Sequence, residues 1–329
     1  MKLNGSGANP FGQSILRPLI PFRQRNILIV GRPRLEEQDE TETLLAIVKR
    51  RRLRRRPCFA ASAVFRAEAA KSVERINIEY VQPKDPAHQP IYERLKEARA
   101  LERIKELLGP FRLPRQLLLK VTSCDGVSNA WYDENVITVC YEFLADILKN
   151  APEETLPSGI TRQDAILGPV VDVFLHESGH AMFDLLKVPV FGREEDAADA
   201  FSAYIVLQFP KEDARRLLLG SAYQYKMDLL DPQVTMGITK FSNVHGTPAQ
   251  RFYNVLCIAY GADKKLFADV VERKYLPEDR ADGCEEEYEQ VAFAFRTLIS
   301  PHIDKAQAKK VLRSWVREVD APPQRPSAK

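Results

Sequence analysis

Residues 168–191 read GPVVDVFLHESGHAMFDLLKVPVF, and no other stretch limits the fold as tightly. Val170, Val171, Val173, Phe174, Leu175, Ala181, Met182, Phe183, Leu185 and Leu186 cover nearly every face of a helix. A helix that is apolar all round is a buried helix. Gly168-Pro169 is expected to open it, because a first-turn proline lacks only an N–H that would have no partner there. The rest of the chain must therefore wrap this segment, together with His176, Glu177 and His180 inside it. Buried polar groups are costly unless something pairs with them.

The spacing supplies a partner. His176 and His180 stand one turn apart on one helix face, where two imidazoles reach a single zinc ion. Glu177 is rotated about 100° from His176, beside the metal and not on it, where it can take a proton from metal-bound water. This is the chemistry of an HExxH helix. A third ligand is expected from FGREEDAADAFSAYIVLQF, a second apolar helix built on Ala197, Ala198, Phe201, Ile205 and Leu207. Of the three acids that open it, only Glu195 has a carboxylate at i+4, Asp199. The reading is one zinc ion on His176, His180 and Glu195, a water as fourth ligand, and Asp199 orienting a ligand histidine from behind. Glu194 is the competing ligand. The plainer alternative for the acids is a solvated first turn, which favours carboxylates in any case.

HESGH followed by ExxxD on the next helix resembles the glutamate-type zincins, the thermolysin-like metallopeptidases. HESGHAMFDLLKVPVFGREEDAADAFSAY, with CDGVSNAWYDENVITVCYE upstream, resembles a bacterial metallopeptidase family of otherwise unknown function, over residues 75 to about 315. The resemblance implies a zinc-dependent peptidase fold and names no substrate. In such folds a later His, Tyr or Arg stabilises the oxyanion, a role open to His245 or Arg251, and less so Tyr253; the plainer alternative is a loop histidine and a structural arginine. An edge strand borders the cleft in such folds, which Asn129 and Trp131 could line, although Trp131 is expected to pack in the core; Arg251 is a separate candidate for contact with substrate. His88 and His302 have no ligand spacing.

Elsewhere the pattern is α+β. RINIEYVQ, RQLLLKVTSC and NVITVCYEFL read as strands, YDEN as a turn, and PIYERLKEARALERIKELLG as one amphipathic helix closed by Gly109. These predict a small antiparallel sheet, its last strand running into YEFLADILKN; the resemblance adds that the fold is zincin-like, with the sheet packed on the active-site helix. The C-terminal half is mainly helical, including an amphipathic helix at EEEYEQVAFAF.

Charge separates the N-terminus from this body. The net charge of the 329 residues is +3, but residues 1–75 hold 16 Lys and Arg against 7 Asp and Glu, a surplus of nine. Residues 76–329 are therefore at −6, which argues against nucleic acid as partner of the main domain. Seven basic residues from Lys49 to Arg56 precede a short apolar stretch and Ala67-Glu68-Ala69, the parts of an export signal in an unusual place. The expected division is a disordered or signal-like extension at 1–74, a metallopeptidase domain at 75–318 and a disordered tail at 319–329. No apolar run is long enough to span a bilayer.

Sequence order pairs Cys124 with Cys140 and Cys257 with Cys284, which would place the protein outside the cytoplasm; four buried free thiols are the alternative. The predicted activity is hydrolysis of a peptide or protein bond by zinc-activated water, with Glu177 as general base. The alternatives are an inactive zinc-binding or protein-interaction module on the same fold, and a nucleic-acid or membrane-surface binder acting through residues 49–56.

Overall fold

The computed structural model describes residues 75–230 and 242–320. The predicted 1–74 extension, the basic run at 49–56 and residues 321–329 lie outside the described residues. The architecture is α+β, with a small mixed sheet and a largely helical C-terminal half.

The sheet comprises β1 (Ile76–Tyr80), β2 (Leu117–Thr122), β3 (Ala130–Asp133) and β4 (Val136–Cys140), in the order β1-β2-β4-β3. β1 pairs parallel to β2 and β2 parallel to β4; only β3 and β4 are antiparallel. The expected all-antiparallel sheet is therefore corrected. The connection from β1 to β2 carries two helices, α1 (Gln89–Glu97) and α2 (Ala100–Leu108), and a helical crossover returns the chain in the same direction. The β3–β4 hairpin turns on Glu134 and Asn135, with φ of 44° and 70°, the left-handed pair a two-residue hairpin loop requires.

Burial follows this topology. Leu117, Leu119 and Val121 are buried in alternation along β2, whereas Ile137 to Cys140 of central β4 are all buried. β3 forms the edge, and Trp131 on it is 39% exposed, so its expected place in the core is corrected.

α1 and α2 are two helices where one was expected. Arg99 breaks them with φ 53°, and Tyr80 Oη receives the Leu101 N–H at 2.7 Å while donating to Glu102 at 2.8 Å. The second helix thus restarts against the sheet, burying Leu101, Ile104, Leu107 and Leu108.

α3 (Tyr141–Asn150) leads to the central helix α4 (Arg162–Leu185). α4 begins seven residues before Pro169, not at it, because Thr161 and Asp164 form a reciprocal capping box, with Asp164 N–H to Thr161 Oγ1 at 3.1 Å and Thr161 N–H to Asp164 Oδ2 at 3.1 Å. Around α4 pack α5 (Glu194–Val206) and α6 (Lys211–Leu230), and beyond them α7 (Pro248–Ala262), α8 (Cys284–Ala294) and α9 (Lys305–Asp320). α9 runs two residues past the expected end of the domain. Gly168 lets α4 and α6 approach, since a Cβ there would lie 2.6 Å from the Leu217 carbonyl oxygen.

Cys124 is bonded to Cys140 and Cys257 to Cys284, so these are cross-links and not free thiols. Two such bonds are consistent with an extracytoplasmic environment, where disulfides persist. Among the described residues, no helix is long and apolar enough to cross a membrane.

Candidate metal centre

α4 and α5 cross with Gly179 at their contact; a Cβ there would lie 3.1 Å from Ala198 Cα. That close approach sets the first turn of α5 opposite the two histidines of α4. His176 Nε2 and His180 Nε2 lie 3.3 Å apart, and Glu195 Oε2 is 3.1 Å from the first and 3.3 Å from the second. Three atoms with lone pairs converge on one point. Tetrahedral zinc with bonds of about 2.0–2.1 Å separates its ligand atoms by about 3.3 Å, so the triangle has the size the ion needs.

The outer nitrogens are also engaged. His176 Nδ1 is 2.7 Å from Asp199 Oδ1, and His180 Nδ1 is 2.8 Å from Glu194 Oε1. A carboxylate on Nδ1 holds that nitrogen as the donor and leaves Nε2 free to bind metal. Glu194, considered from sequence as a competing ligand, sits behind His180 as Asp199 sits behind His176. The sequence reasoning missed that role; the cue was that Glu194 adjoins Glu195 at the same helix start.

The donor set is rich in negative charge. Burial disfavours charge on His176, yet hydrogen bonds to Asp199 and Glu195 and the charge of Asp199 outweigh it, and the imidazole is pushed up to about 9. Burial would raise Glu195, but bonds from His176, His180 and His245 hold its carboxyl far below the usual range. The site thus draws positive charge into its centre. Burial raises Glu177, although the neighbouring histidines counter it; a raised carboxylate is a better base near neutral pH.

The centre opens into a cleft of about 690 Å³, lined by Glu177, His180, Glu195, His245, Asn129 and Trp131 among others. His245 comes from the loop before α7, with Nε2 2.8 Å from Glu195 Oε2 and its ring stacked on His176 at 6.0 Å. Arg251 is not in this lining. Its guanidinium grips Asp199 from behind, Nε to Oδ2 at 2.8 Å and Nη2 to Oδ1 at 2.5 Å. Tyr253 is 38% exposed and does not line the cleft either.

Behind Asp199 lies a polar cluster that was not foreseen. Asp172, one turn before His176 on α4, accepts from Tyr225 Oη and Ser202 Oγ, both at 2.6 Å. A lone Asp on an otherwise apolar helix stretch was the available signal. The second cluster among the described residues with metal-binding side chains, Cys124, Cys140 and Glu142, has its sulfurs in a disulfide.

A family model described as "Putative metallopeptidase" matches residues 80–299, and the chain belongs to that family. No curated protein and no solved structure matches the chain.

Proposed function

We propose that this member of the family is a zinc-dependent peptidase of the glutamate-zincin type, hydrolysing peptide bonds with Glu177 as general base. The observation that carries the reading is the triangle of His176 Nε2, His180 Nε2 and Glu195 Oε2, with edges of 3.1 to 3.3 Å. Each histidine in it has a carboxylate on its other nitrogen.

His176, His180 and Glu195 would hold one zinc ion. When bound, zinc supplies Lewis acidity, making water nucleophilic near neutral pH and polarising a carbonyl. Glu177, buried and raised by desolvation, takes the proton from the attacking water as its oxygen bonds to the carbonyl carbon. As the C–N bond breaks, Glu177 returns that proton to the leaving amine. His245 donates to the carbonyl oxygen as negative charge builds there. Asn129 and Trp131, on or beside the edge strand β3, border an extended peptide lying in the cleft.

The test is metal removal and return. Chelator-treated protein should lose cleavage of a mixed peptide library, and stoichiometric zinc should restore it. Zinc uptake with no cleavage under any condition would favour a binding module on the same fold.

A further inference from the structure

Asp199 and Asp172 line a second cavity, of about 470 Å³, together with Tyr225 and Arg251. Asp199 is the junction between this cavity's wall and the metal centre, because its Oδ1 takes both the His176 Nδ1 bond and one prong of Arg251. We infer that Arg251 is a positioning residue for the centre: it fixes the Asp199 carboxylate in the orientation that turns His176 Nε2 toward Glu195. The inference rests on the zinc reading above.

The geometry of the pair carries this role: a guanidinium makes two parallel bonds to a carboxylate and so fixes its plane, which a lysine cannot do.

Arg251 is itself held. Its guanidinium carbon lies 4.5 Å above the Tyr225 ring, and Tyr225 is pinned through its hydroxyl to Asp172. Asp172 is on α4, as is His176. The chain of contacts leaves α4 at His176, passes Asp199 on α5, Arg251 on α7 and Tyr225 on α6, and returns to α4 at Asp172. A closed ring across four helices resists rotation of any single member. An ion pair serving only to join helices would not need to end on a ligand histidine.

The experiment uses the full chain as wild type, R251K, R251M, D199N and D199N/R251M. Zinc dissociation constants are measured by competition with a chromophoric chelator, alongside the visible spectrum of each cobalt(II)-loaded protein. R251M should weaken zinc binding about 10–100-fold, the size of effect known for residues supporting a metal ligand. R251K should recover part of that loss, keeping charge without the second prong. Adding R251M to D199N should cost little more, because Arg251 acts through Asp199. A purely structural role predicts a lower melting temperature with unchanged zinc affinity and spectrum in the folded protein, and that result overturns the inference. If R251M does not fold, R251K decides: a several-fold loss upholds the inference and wild-type affinity overturns it. A wild type that binds no zinc would remove the metallopeptidase reading and this inference together, whereas zinc binding equal in wild type and R251K removes this inference alone.

Discussion

The two histidines of α4 are supported from two different regions of the molecule. Asp199, behind His176, is 17% exposed and sits among α4, α5, α6 and α7, gripped by Arg251. Glu194, behind His180, is 56% exposed at the rim of the cleft. The bond lengths are nearly equal, 2.7 and 2.8 Å, yet the bonds are not. In a buried place the partner of a lost bond stays unsatisfied, whereas at the rim water replaces it. The comparison teaches that one histidine is supported from within the helix packing and the other from the open rim of the cleft.

The largest break in this comparison comes from Asp199→Asn. It should lower zinc affinity by about 10–100-fold, read by chelator competition. A change of less than about threefold would show that burial confers no advantage on this support. The pH dependence sharpens the point. A protonated His176 cannot offer Nε2, so with the imidazole pushed up to about 9, zinc affinity should climb with pH up to that value and then level. In Asp199→Asn the levelling point should fall toward the ordinary histidine range, about 6.5. An unmoved profile would contradict the role given to Asp199.

Gly179→Ala acts on both supports at once, because α5 carries Glu194, Glu195 and Asp199. The new methyl would meet Ala198 Cα at 3.1 Å and push the helices apart. A stability loss of about 1–3 kcal/mol in thermal unfolding is expected; wild-type stability would show that the contact has slack. The smallest effect belongs to Glu194→Gln. It should cost zinc affinity less than about threefold, and salt should shrink even that, as it does for exposed pairs. A loss equal to that of Asp199→Asn would erase the distinction between the two regions.

Much of this was legible in the sequence because it depends on local spacing. The i, i+4 histidines and the apolar residues around them dictate a buried helix with two rings on one side. Glu195 and Asp199 stand in helical register, and the structure brings His176, His180 and Glu195 to one point. What was not legible depends on distant partners. Strand direction follows from where a crossover lands, so β1, β2 and β4 could not be oriented from their own residues. Four-residue β3 carries too little pattern to mark itself as a strand. The break at Arg99 is set by Tyr80, 19 positions earlier, and the start of α4 by a capping box that lies before its apolar run. Arg251 stayed open between a cleft role and a structural one, because nothing near it in sequence shows that it grips Asp199 and lies over Tyr225. Chemistry at short range is written in the motif, and its support comes from helices far along the chain.

The central claim is tested most directly by Glu177→Gln, purified beside the wild type, with bound zinc counted in both and both assayed on a mixed peptide library. The account predicts about one zinc per chain in each protein, with cleavage by the wild type only and a rate loss in the variant of about 10²–10⁴-fold, the scale of a lost general base. Equal cleavage by both proteins, or a wild type that holds no metal, would contradict it.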